Sequence, residues 1–232
     1  MKLQHTISSL LRLSGSFSSS SSSSSKAFSL ASSLTNMTSH IYFGYGSNLW
    51  LDQMSRRCPS SPHTGIGLLR GYTWFINSRG YANIAPSKNP DDQVWGLIYD
   101  LTPEDEAQLD KNEGVPRAYE KRVIPVLFSD KDTKGEPNKA VDMLVYIDFK
   151  RNRGGHEPRA EYVHRMNMGI KDALKEGVPQ EYVDKVMRQY IPDEDELGLD
   201  QAEARQLALK QASMFKDESG IMTPGVEGSG VE

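Results

Sequence analysis

From Ile41 to Phe149 the chain reads as strands separated by Gly, Pro and charged turns, and from Arg159 onward it reads as helices. Strands first and helices afterwards imply an α+β fold. The sheet expected is mixed, mostly antiparallel and small enough to curl into a β-barrel with flanking helices. The opening strand is Ile41–Phe43, and Leu49–Cys58 reads as a short helix stopped by Pro59. Leu68–Asn77 reads as one strand carrying a bulge at its internal glycine. Tyr81–Ala85 is a short strand, and Val94–Tyr99 is the centre of a strong one. Thr102 is an N-cap, Pro103 suits the first helical position, and Gly114 can take the left-handed stop of a helix ending at Glu113. Tyr119–Phe128 and Ala140–Phe149 pair as a hairpin across the charged stretch "SDKDTKGEPNK". Helices follow at Arg159–Leu174, Gln180–Tyr190 and, weakly, Leu197–Met214.

Both ends differ in composition from this middle. Ser18–Ser25 is an unbroken serine run, and no acid precedes Asp52. Residues 1–39 read as a disordered Ser-rich leader or a transit peptide, and 216–232 as a disordered tail. Residues 40–215 remain for one domain, enough for one core. A net charge of −4 without a basic stripe argues against nucleic acid as partner. No apolar run is long enough to cross a bilayer. One cysteine, Cys58, permits no intramolecular disulfide and suits a reducing compartment. A cytoplasmic location is expected, or a mitochondrial one if the leader is a transit peptide. A homodimer is compatible with the composition.

The first strand breaks into Gly44-Tyr45-Gly46-Ser47-Asn48 before helical sequence resumes. No lysine follows Gly46, position 49 is leucine rather than a third glycine, and no Gly-x-Ser-x-Gly is present. These absences exclude a Walker loop, a dinucleotide fingerprint and a nucleophile elbow. What remains is a turn whose main-chain N–H groups, with the positive end of a helix, can hold a carboxylate or phosphate. A tight turn with a simple cap is the alternative.

The helix Pro103–Glu113 has a single large apolar residue, Leu109. Residues four apart share a face, so Glu113 is expected to point inward with it. Burial and the negative helix end both disfavour its charged form. Such a carboxylate suits a general acid or base; an exposed last-turn glutamate is the alternative. The five histidines show no metal-like spacing.

"YFGYGSNL" and, downstream, "LDKNEGVPRAY" together resemble the γ-glutamylcyclotransferase family. "DQVWGLIYDL" and "YVHRMNMGIKDALKEGVPQEYVDKV" extend the resemblance over Ile41–Pro192. It implies a γ-glutamyl cyclotransferase-like barrel and a lyase that turns γ-glutamyl compounds into 5-oxoproline and a free amine, without metal or organic cofactor. It implies Glu113 as catalytic acid/base. Tyr42, Phe43, Gly44, Tyr45, Gly46, Ser47 and Tyr162 would bind a small-molecule γ-glutamyl substrate, with Tyr119 and Tyr146 nearby. Glutathione-specific relatives carry Tyr-Gly-Ser-Leu, so Asn48 favours γ-glutamyl amino acids over glutathione. A γ-glutamylamine or secondary-metabolite enzyme, or a non-catalytic ligand-binding module, are the competing functions. Arg151–Pro158 is expected as a loop over the site.

Overall fold

The computed structural model describes residues 39–133, 135–193 and 201–216. The leader and tail expected from composition lie outside these residues, apart from Ser39 and Lys216. Five strands close into a barrel in the order β1 (His40–Gly44), β5 (Gln93–Leu101), β2 (His63–Arg70), β6 (Glu120–Asp130) and β7 (Lys139–Ile147). Every pairing is antiparallel except the closing one, where β1 runs parallel to β7 with Tyr42 opposite Leu144. The expected hairpin is β6–β7.

The bulged strand expected over Leu68–Asn77 is instead two strands in two sheets. Gly71, at φ +74, turns the chain sharply between β2 and β3 (Tyr72–Ile76). That left-handed backbone is cheap only for glycine. β3 pairs with β4 (Ala82–Pro86) in a separate ribbon. The Trp74 indole N–H donates to the Tyr45 carbonyl at 3.0 Å, tying the ribbon to the end of β1.

Alternation along β1 assigns its side chains to opposite faces. Phe43 lies inside the barrel, where its ring occupies the space that side chains on Gly67 and Gly96 would fill; added Cβ atoms there would approach it to 2.9 and 2.6 Å. Tyr42 faces outward, against the edge of the Tyr146 ring.

A 3-10 turn, Ser47–Leu49, leads into α1 (Leu51–Arg57). Helix α2 (Pro103–Glu113) begins as its sequence predicts: the Thr102 side chain accepts from the Asp105 N–H at 3.3 Å. It ends at Gly114, in the left-handed conformation. Leu109 is fully buried, and Lys121 of β6 bonds Glu106 and Asp110, so α2 lies against the outside of the barrel. Helix α3 (Ala160–Glu176) packs on the 3-10 turn. The helix expected over Gln180–Tyr190 is a short α4 (Gln180–Tyr182) continued by a π turn, Val183–Met187. The last helix among the described residues, α5 (Gln201–Ser213), packs on α1 and α3. Its expected first residues, 197–200, lie outside the described ones. Among the described residues no helix is long and apolar enough to cross a membrane.

Candidate active site

Where the glycine turn, α2, α3 and the ribbon meet, they enclose a cavity of about 50 Å³. Of the residues singled out from sequence, Tyr42, Tyr45, Gly46, Ser47, Glu113 and Tyr162 all line it, and Tyr119 and Tyr146 join them. Phe43 and Gly44 do not. The pleat that brings Tyr42 to the cavity sends Phe43 into the barrel, and Gly44 is covered by the side chains of Asn48 and Tyr42. Arg151–Pro158 does not line the cavity either. Gly154 packs on Phe75, and the Arg151 side chain is turned back to Asp148 at 2.6 Å.

The Glu113 carboxylate faces the cavity. Its Oε1 accepts from the Asn48 side-chain amide at 3.0 Å. The same amide nitrogen donates to the Tyr42 hydroxyl at 2.8 Å. The orientation of Asn48 is fixed from its other end, where Oδ1 accepts from Gln53 at 2.8 Å and from Arg57 at 3.2 Å. Burial raises the Glu113 pKa above the ordinary carboxylate value. Arg57, the Asn48 amide, Arg79 and Arg165 oppose that rise without cancelling it.

Two hydroxyls have their acceptor capacity filled. Ser47 Oγ accepts from Arg165 Nη1 at 3.0 Å and from Gln53 Nε2 at 3.1 Å. Tyr162 Oη accepts from the main-chain N–H groups of Ser47 and Ala82, each at 3.2 Å. A hydroxyl offers one hydrogen and two lone pairs. With both lone pairs engaged, each group has only its hydrogen to offer, and both residues line the cavity. The donor set therefore differs from the run of free main-chain N–H groups expected from the turn. The Ser47 N–H bonds the Tyr162 oxygen, while those of Leu49 and Trp50 close the 3-10 turn onto Gly46 and Ser47. Burial pushes the Tyr162 hydroxyl up to about 12, with Arg165 opposing, so it stays protonated near neutrality. Gly46 is needed for this contact: a Cβ there would lie 2.9 Å from the Tyr162 hydroxyl oxygen.

Sequence reasoning missed the cations. Arg57, Arg79 and Arg165 line the cavity from three different elements or loops. Burial, then the nearby Arg165, lowers Arg57 to about 10, still cationic at neutral pH. Arg165 is buried in a two-bond pair with Glu161, one helical turn before it, at 2.7 and 3.0 Å. That i, i+4 spacing was a signal available in the sequence. Arg79 lies over the rings of Tyr81 and Tyr119 and 3.8 Å from Asp148. Chemically, the cavity is a cationic pocket with one elevated carboxylate and two committed hydroxyl donors. It suits a small ligand that carries a carboxylate and a group able to lose a proton.

The family model for the AIG2-like family matches residues 93–186, a span that includes Glu113. The human γ-glutamylcyclotransferase is 29% identical over 156 residues, covering 64% of this chain and 77% of the relative. The mouse γ-glutamylcyclotransferase is 27% identical over 154 residues, covering 63% and 76%. A solved γ-glutamyl cyclotransferase structure superposes with a TM-score of 0.56 at 26% identity, over 74% of this chain and 99% of that one.

Proposed function

Because the chain belongs to the γ-glutamylcyclotransferase family, we propose that it converts γ-glutamyl amino acids to 5-oxoproline and the free amino acid. One observation carries this reading: the Glu113 carboxylate and the hydroxyls of Ser47 and Tyr162 face one cavity. In the proposed reaction the substrate's α-ammonium gives a proton to Glu113. The freed amine attacks the γ-carbonyl carbon of the same glutamyl unit, closing a five-membered ring. Negative charge gathers on the γ-oxygen, where the two hydroxyl hydrogens stabilise it. The C–N bond to the leaving amine then breaks as that nitrogen takes the proton from Glu113. The ionised carboxylate next removes the second proton from the ring nitrogen, leaving the neutral lactam, and passes it to the released amine, which departs as an ammonium. Nucleophile and electrophile belong to one molecule, so the protein's main task is to hold the chain folded for attack. The substrate's α-carboxylate lies in the field of the three arginines.

The raised pKa of Glu113 fits this double duty. A carboxylate at its ordinary value would be a poor acceptor for an ammonium proton and a scarce acid at neutral pH. Asn48 after Ser47 supports γ-glutamyl amino acids over glutathione, and a panel of γ-glutamyl dipeptides, glutathione and γ-glutamyl-lysine, scored for 5-oxoproline release, reports the amine preferred. Glu113→Gln should keep the fold and lose at least about 100-fold in kcat, the lower end for removing a general base. Near-normal turnover by that variant removes Glu113 from the mechanism.

A further inference from the structure

One wall of the cavity comes from the segment that follows α5. Phe215, just beyond the end of α5, lines it. Its ring meets the Tyr81 ring edge-on at 5.2 Å, and the guanidinium groups of Arg165 and Arg57 lie 5.5 and 5.9 Å from its centre. The segment is anchored on both sides of the candidate site. Arg57 donates to the carbonyls of Ala212 and Gln211 at 3.1 and 2.8 Å, and its third bond goes to the Asn48 side chain of the glycine turn. The Phe215 N–H donates to Asn112, the residue before Glu113, at 3.3 Å. Gln211 closes the strap on itself by bonding both the N–H and the carbonyl of Lys216.

Phe215 is only partly buried, and its neighbours Met214 and Lys216 are exposed. It therefore stands at the boundary between the cavity and water. Ser47 and Tyr162 lie deeper, and Glu113, itself half-buried, turns its carboxylate inward to Asn48. A γ-glutamyl substrate must place its glutamyl head against those groups, which leaves its amine portion toward Phe215. An amine that extends beyond the glutamyl head must pass the Phe215 ring on its way toward solvent.

We propose that Phe215 is the specificity-determining residue of this site, its ring limiting the size of the amine that can be released. This rests on the cyclotransferase reading for the identity of the substrate. The test is kcat/KM for 5-oxoproline release from γ-glutamyl-glycine and γ-glutamyl-phenylalanine, measured with the full chain, Phe215→Ala and Phe215→Trp. Phe215→Ala should raise the phenylalanine-to-glycine ratio by about tenfold or more, the scale on which pocket size discriminates apolar groups. Phe215→Trp should leave that ratio at or below the wild-type value. A generally damaged fold would lower both rates and leave the ratio alone; an unchanged ratio in Phe215→Ala overturns the proposal. If the wild-type chain releases no 5-oxoproline from either substrate, the reaction assigned above is wrong, and calorimetric binding of the two compounds decides the role of Phe215. A change in their Kd ratio in Phe215→Ala sustains it as a size filter; an unchanged ratio, or no binding, removes it.

Discussion

Asn48 joins the glycine turn to the carboxylate, and at the residue scale it is one of the groups that favour the charged form of Glu113. Two donors, Gln53 and Arg57, hold its carbonyl oxygen, so its amide nitrogen is turned toward the carboxylate and cannot flip without losing both. A hydrogen bond given to a carboxylate favours the ionised form. Burial already holds the Glu113 pKa above its usual 4.5, and the Asn48 bond is among the influences pulling it back. The proposed mechanism needs Glu113 ionised before it can take a proton, so activity should fall as pH drops through this raised pKa. The acid limb of kcat/KM is therefore expected above pH 4.5. Asn48→Ala removes a favourable partner of the charged form, so the limb should move further up in pH. A pH–rate profile measures the shift; a limb moving down would mean that Asn48 does not stabilise the charged carboxylate. Substituting Asn48 with leucine should move it in the same direction, since leucine also lacks the donor.

Strand β1 serves two purposes because successive side chains face opposite ways. Tyr42 contributes to the candidate site, whereas Phe43 fills the barrel over Gly67 and Gly96. Phe43→Ala should cost about 3–5 kcal/mol of stability, as for a fully buried phenylalanine, read as a lower urea midpoint. The protein still folded should retain the wild-type KM, since the ring does not line the cavity and meets it only through the back of Tyr45; a KM raised tenfold in the folded fraction would return Phe43 to the site. The contrast also shows what sequence can carry. The N-cap at Thr102, the stop at Gly114 and the β6–β7 hairpin are legible because each depends on residues a few positions apart, whereas spacing alone leaves Glu113 open between an inward and an exposed position, and the family resemblance is what points it inward. The first part of β2 was not legible. The expected strand begins only at Leu68, because Gly65 and Gly67 weaken the strand pattern before it and are there for tertiary reasons: a Cβ on Gly65 would lie 2.1 Å from the Ser129 carbonyl oxygen, and one on Gly67 would meet Phe43. Gly71 was seen, but a left-handed turn that moves the chain to another sheet looks the same in sequence as a bulge. The arginines and Phe215 were hidden for a similar reason. They reach the cavity from separate parts of the chain, and although Arg165 has its partner Glu161 four residues before it, no local spacing relates the four residues to one another.

At the scale of the whole molecule, the candidate site is completed by α5, the last helix among the described residues. The barrel, α2 and α3 supply the carboxylate and the hydroxyl donors, but Arg57 is kept from water by the carbonyls at the end of α5. Cations near a helix C-terminus are stabilised by its dipole, so α5 and Arg57 hold each other in place. Ala208 and Ala212 are fully buried, and Gln211 nearly so. A chain ending after Asp193 would lose this wall and admit water to the cavity. Burial is the main cause of the raised Glu113 pKa, so its relief should lower that pKa. The acid limb of the truncated protein should then move down in pH, opposite to the shift expected for Asn48→Ala, while 5-oxoproline release at neutral pH falls because the carboxylate has become a weaker base in a wetter site. Removing residues 1–38 should do neither, since every residue placed in the site lies between Tyr42 and Phe215. Circular dichroism of the truncated chains verifies that the barrel survives, and paired pH–rate profiles then read the two shifts. If the truncation after Asp193 leaves the limb where it was, α5 is packing alone, and the burial of Glu113 has another source.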